Sequence, residues 1–286
     1  LFCIGWSEVY PDWGWLTEQM PNFLIHSSVY KKLAYTLLRL FVRSILMKKF
    51  GFVSVILLSI SLMVLVGQNG FATDESMVLY LTFDDGAGDI AKDLSGKGND
   101  GKIVKAKWVN GKIKKALEFD GASYVDIPHS KSLSPEVDIT VMAWALAESG
   151  QDGELMIISK GQWAANDLPY ELSIYPPGGV IYWQFYDDAG RDGCSPPAPT
   201  YDEWHHIAAT YDGNVFKCYI DGVFAKDFGY IGELPQNTAN VTVGRRSKAE
   251  EGYFVGIIDE VALFNRVLEE DEIVEGMQGF KTPVNA

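Results

Sequence analysis

Residues 201–223 read YDEWHHIAATYDGNVFKCYIDGV, and this stretch decides the fold. In 206–211, Ile207, Ala209 and Tyr211 alternate with His206, Ala208 and Thr210. In 215–220, Phe216, Cys218 and Ile220 alternate with Val215, Lys217 and Tyr219. Period two marks strands with two different faces. Asp212-Gly213 between them is a hairpin signal, because both residues tolerate positive φ. Asp221-Gly222 repeats the signal after the second strand.

Outward from this hairpin the same grammar continues. Residues 77–83 (MVLYLTF) form an apolar, β-branched strand that ends at Asp84-Asp85-Gly86. Residues 93–101 (DLSGKGNDG) make a polar loop, and 111–127 (GKIKKALEFDGASYVDI) supply two strands around an Asp-Gly turn. Further strands are expected at 139–146, 155–160, 170–175, 180–186, 240–244 and 256–264. Residues 269–275 (EEDEIVE) read as an acidic helical turn, with charge favourable at a helix N-terminus. Strands at regular spacing with Gly- and Pro-marked turns predict an all-β, two-sheet antiparallel jelly-roll sandwich.

The order WHH-strand-DG-strand-IDG, LTFDDGAG, DLSGKGNDG, GKIKKALEFDGASYVDIP and GIIDEVALFNRVLEEDEI resembles the laminin G-like jelly rolls of the concanavalin A-like lectin and glucanase superfamily. The resemblance runs over 77–276, nearly all of the chain after the N-terminal segments. It implies a concave sheet that carries a glycan site, or else a protein-binding adhesion module.

The N-terminal segments read differently. Met47-Lys48-Lys49, an apolar run over 50–66 and Gly70-Phe71-Ala72 have the layout of a signal peptide at 47–72 with cleavage after Ala72. An uncleaved membrane anchor is the alternative for the same run. Residues 1–46 are read as an upstream extension outside the mature protein; a basic amphipathic helix over 30–46 is the other reading. The expected domain is therefore 73–286, secreted, periplasmic or at the cell surface.

Charge excludes one class of partner. The basic residues before 73 are Lys31, Lys32, Arg39, Arg43, Lys48 and Lys49, and the acids are Glu8, Asp12 and Glu18; this leaves 18 of 24 basic and 35 of 38 acidic groups in 73–286, a net −17. Nucleic acid demands a basic footprint and is not the ligand of such a surface. A glycan or an extracellular protein is the expected partner, and a membrane only through an uncleaved anchor.

Alternation also nominates a binding face. In 170–175 the outward set is Glu171, Ser173 and Tyr175; in 180–186 it is Tyr182, Gln184 and Tyr186. In the central hairpin His206 and Tyr219 fall on the outward side. Aromatic rings beside hydrogen-bonding groups suit a sugar, whose C–H face packs on the ring while its hydroxyls find partners. Trp163, in a loop, joins this set, whereas Trp144, Trp183 and Trp204 lie in or beside strands and belong to the core. The plain reading is that Tyr suits any pleated surface.

Calcium takes oxygens from loop carboxylates and amides. The family resemblance implies a structural Ca²⁺ near a late Asp, which Asp259 matches, with Asp84, Asp93 and Asn99 as further ligands; the alternative is that these side chains close turns. His129, His205 and His206 show no zinc spacing. Cys194 and Cys218 form a disulfide in an oxidising compartment, or Cys218 is simply a small buried residue. Residues 73–286 show no Glu-x-Asp-x-Glu or Glu-x-Asp-x-x-Glu set on a strand, the pattern of a glucanase site, so the domain is read as a non-catalytic binder.

Overall fold

The computed structural model describes residues 74–163, 167–187 and 190–280. The chain divides between Leu1–Gly70 and Phe71–Ala286, and every described residue belongs to the latter. The expectations for 1–72 fall outside the described residues. Among the described residues no helix is long and apolar enough to cross a membrane.

The strands are β1 (Met77–Leu81), β2 (Ile90–Ala91), β3 (Gly101–Val104), β4 (Lys107–Asn110), β5 (Lys115–Asp120), β6 (Tyr124–Ile127), β7 (Ile139–Ala147) and β8 (Leu155–Lys160). They continue as β9 (Leu168–Tyr175), β10 (Val180–Asp187), β11 (Gly190–Cys194), β12 (His205–Tyr211), β13 (Val215–Ile220), β14 (Val223–Gly229), β15 (Val241–Val243) and β16 (Val255–Phe264). One helix, α1 (Glu270–Gly276), follows. The first sheet runs β14-β13-β12-β7-β16-β5-β4, with β1 also on β16; the second runs β11-β10-β9-β8-β15-β6-β3-β2. The strands pair antiparallel, and the two sheets make the jelly-roll sandwich that the periodicity predicts.

The period-two sets meet in the middle. Ile207, Ala209 and Tyr211 from β12, Phe216 and Cys218 from β13, Tyr170 and Leu172 from β9, and Trp183 and Phe185 from β10 share one buried core. Tyr211 stacks on Phe216 with centroids 4.3 Å apart, and Phe185 meets both rings. Trp183 Nε1 donates to Thr210 O at 3.0 Å, so its one polar atom is satisfied across the sandwich.

The two Asp-Gly signals fold differently. Asp221 (φ 53°) and Gly222 (φ 76°) are both left-handed, and Ile220 pairs with Val223, which is the two-residue hairpin turn. At the other turn only Gly213 is left-handed. There Asp212 Oδ1 accepts from the backbone N–H groups of Asn214 and Val215, so the carboxylate holds a longer loop. The strand after the two-residue turn, β14, went unread in the sequence. It lies at the edge of the first sheet, all seven residues are exposed, and a bulge opposite Cys218 and Tyr219 interrupts its alternation.

Helix α1 is short and is fixed at its start by a reciprocal cap between Glu269 and Glu272. Arg266 pairs with Glu272 and Asp74 there. Ile273, Leu268 and Phe280 pack with Tyr80, Met142, Ala208 and Tyr219 on the outer face of the first sheet. That face is therefore covered by the chain's own C-terminal part.

Candidate functional site

The outer face of the second sheet is where polar and aromatic groups gather. Register places Gln184 opposite Glu171 and Tyr182 opposite Ser173, so these side chains share the outward face. The face is not open along its whole length. Residues after β15 turn back over it and bring Arg246 onto Glu171.

Arg246 is only 4% exposed, and Glu171 is completely buried. Arg246 Nε donates to Glu171 Oε2 at 3.0 Å, its Nη1 to Glu251 Oε1 at 2.6 Å and its Nη2 to Glu154 Oε2 at 2.7 Å. Glu171 Oε1 also accepts from Gln184 Nε2 at 2.7 Å and from Trp163 Nε1 at 3.3 Å. Ser173 Oγ donates to the other oxygen of Glu154 at 2.7 Å. The Trp163 ring lies over the guanidinium at 4.5 Å, yet the residue keeps 46% of its surface in solvent. Burial opposes the charge on Arg246, but its hydrogen bond and attraction to Glu171 outweigh this and raise its pKa. Burial and the neighbouring Glu171 push Glu154 up.

The described residues on either side of Trp163, Gly161–Gln162 and Asp167, are held together. Gly161 sits at φ 99°, and a Cβ there would meet Asp167 O at 1.8 Å. Gln162 N–H donates to that same carbonyl at 2.9 Å, Asn237 Nδ2 donates to it at 3.0 Å, and Lys248 Nζ pairs with Asp167 Oδ2 at 2.5 Å. Gly161→Ala should therefore destabilise the chain by at least about 2 kcal/mol in chemical denaturation. An unchanged midpoint would show that the loop can give way.

Beside this network, Tyr175 and Tyr182 stack with centroids 5.7 Å apart and planes at 25°. Both are half-buried, and Tyr186 lies further along β10, beyond a bulge. Five of the seven expected ligand residues, Trp163, Tyr175, Tyr182, Gln184 and Tyr186, thus belong to the outer side of the second sheet. Gln184 is committed to Glu171 and is buried.

His206 and Tyr219 do not join them. They lie on the outer face of the other sheet, 1% and 4% exposed. Tyr219 packs with α1, and His206 meets Trp144 edge-on at 5.3 Å, where Trp144 Nε1 donates to Met277 O. Burial pushes His206 down to about 4, so it is a neutral packed residue. Alternation gave their outward side correctly, but the C-terminal helix covers it. Arg246, Glu154 and Glu251 were not foreseen, because they stand outside the alternating strand segments.

The four residues expected to hold calcium do not make one ligand set. Asp93 accepts from the N–H groups of Tyr80, Ser95 and Asn99 and from Ser95 Oγ. Asn99 donates to Val78 O and Ser132 Oγ and accepts from Ser130 Oγ. These two close turns, the alternative role for such residues. Asp84 pairs with Lys114 at 2.6 Å. Asp259 accepts from Ile113 N–H and Glu260 N–H, both at 2.9 Å. Among the described residues no group of three His, Cys, Asp or Glu side chains is arranged to hold a metal ion.

Two acids of the face, the largely buried Glu154 and the fully buried Glu171, share one guanidinium. Both are tied to that guanidinium, an arrangement that suits holding a surface in shape.

The fold is shared with solved structures at low sequence identity. The binding domain of Paraclostridial Mosquitocidal Protein 1 is similar with a TM-score of 0.58 at 15% identity, over 71% of this chain and 52% of that one. Domain 4 of AbnA, a GH43 extracellular arabinanase from Geobacillus stearothermophilus, solved in complex with arabinotriose, gives 0.56 at 19% identity, over 70% of this chain and 97% of that one. The receptor binding domain of a botulinum neurotoxin C/D mosaic serotype gives 0.56 at 15% identity, over 72% and 51%. The chain thus spans about half the length of these toxin domains. No curated protein matches the sequence. A family model described as the concanavalin A-like lectin/glucanases superfamily matches residues 119–274, more than half of the chain, and the protein belongs to that superfamily.

Proposed function

We propose that the protein is a secreted, non-catalytic binding module that takes a carbohydrate on the outer face of its second sheet. The observation that carries this reading is Trp163, a half-exposed ring whose position is fixed by Arg246 beneath it and by Glu171 at its indole nitrogen. A pre-positioned aromatic plane with polar groups around it binds a sugar ring at little ordering cost. Glu251, exposed at the rim, and the Tyr175–Tyr182 stack supply further contacts. The fold likeness to an arabinanase domain solved with arabinotriose supports the same reading.

A protein ligand is the second reading, favoured by Val223, Phe224, Phe228 and Ile231, large apolar residues exposed on and just after the edge strand β14. A glycan array with the purified chain separates the two. Wild-type retention on a polysaccharide is expected, reduced about 30-fold or more by Trp163→Ala, the effect of losing a central aromatic anchor. Retention should be the same with calcium and with chelator, because the carboxylates at the face are committed to Arg246. No retention by the wild type, or full retention by Trp163→Ala, would overturn the carbohydrate reading at this face.

A further inference from the structure

Cys194 ends β11 in the second sheet, and Cys218 sits in the middle of β13 in the first. Both are buried in the common core as thiols. Two observations bring them together. Cys218 is the cross-strand partner of Lys226 on β14, and Lys226 Nζ reaches Ser195 O, the carbonyl next to Cys194, at 3.0 Å. Trp183, the ladder partner of Cys194, packs edge-on against Phe216, two residues from Cys218.

We propose that Cys194 and Cys218 are a redox pair that closes into a disulfide stapling the two sheets together at the β11 end. The neighbouring Cys218 thiol holds the Cys194 thiol below its ordinary range, while burial pushes the Cys218 thiol well up. Cys194 is therefore the thiol that ionises first and attacks. Its thiolate displaces one thiol from a small disulfide such as oxidised glutathione; the Cys218 thiolate then attacks the Cys194 sulfur and releases the second. Two protein thiols are oxidised, one glutathione disulfide is reduced to two glutathione thiols, and two protons move with them. The exchange takes place as the core closes, when the two thiols are already adjacent and oxidised glutathione still reaches them. The bridge would anchor β11 from across the core, and β11 is the neighbour of β10, which carries Tyr182, Gln184 and Tyr186.

The test is to refold the full chain from denaturant in a glutathione redox buffer, alkylate it unfolded without reduction, and map its peptides by mass. The expected result is a linked Cys194–Cys218 peptide and a Tm that falls by about 6–12 °C in reductant, for a closed loop of about 24 residues. Cys218→Ala should melt like the reduced wild type and ignore reductant. Alkylation of both thiols, or a bridge from either one to Cys3, would overturn the proposal.

Discussion

Arg246→Ala should cost the fold about 3–5 kcal/mol, the range for breaking a buried ion pair from one side. For a domain of this size that is a fall in Tm of roughly 6–20 °C. The reason lies in what remains. Glu171 would lose its counter-charge while completely buried, and Glu154, already pushed up by burial and by Glu171, would face it without the shared guanidinium. Arg246→Lys should recover only part of the loss, because an ammonium cannot reach three carboxylates with the fixed fork of a guanidinium. Glu171→Gln in the Arg246→Ala background should restore stability, since it removes the stranded charge. Urea denaturation of the four proteins measures this. A loss below about 1 kcal/mol for Arg246→Ala would mean that water enters the network and screens it.

Glu260→Gln should act in the opposite direction, with a gain that grows from about pH 4 to 7 and is complete above that. Glu260 and Asp259 are adjacent in a bulge of β16, and Glu260 sits at φ 52°. Burial, with the neighbouring acids, pushes each of them up to about 7. Between roughly pH 4 and 7 the folded chain keeps protons that the unfolded chain has released. Their contribution therefore falls as pH rises through that window, and its full cost is present above 7. The amide carbonyl that the substitution places there can still accept the hydrogen bond that Tyr80 Oη donates to Glu260. The variant should match the wild type near pH 4 and exceed it by about 1–3 kcal/mol at pH 8, after allowing for screening by solvent and Lys114. Asp74, Asp100 and Glu272, whose pKa values are lowered, act against this trend in both proteins and cancel in the comparison. Equal stability of the two proteins at pH 8 would show that Glu260 is ionised without strain.

Strand periodicity and the Asp-Gly signals made the sandwich legible, because each side chain's face follows from the pleat. Tyr182 and Gln184 were placed on the outward face for that reason, and the register confirms it. His206 and Tyr219 show the limit of the same logic. Alternation tells which side a residue faces, and not whether a later segment such as α1 will lie over it. The polar centre of the face depends on Arg246, which comes from a non-repeating stretch between β15 and β16 and meets Glu171 from 75 positions away. Asp93 and Asn99 were ambiguous for a different reason, since a carboxylate that holds a turn and one that holds a cation have the same composition around them.

The edge strand β14 has a consequence for concentration. A sheet that ends in an exposed strand offers its unpaired backbone groups to any similar strand, and here Phe224 and Phe228 would reward such contact. The bulge opposite Cys218 and Tyr219 breaks the regular spacing that a second copy would have to match, and Lys226 and Asp227 put charges in the middle of the strand. Growth of the sheet from molecule to molecule is thus opposed by geometry and by charge at the same few residues, so the chain can carry exposed aromatics on its rim and still stay dispersed.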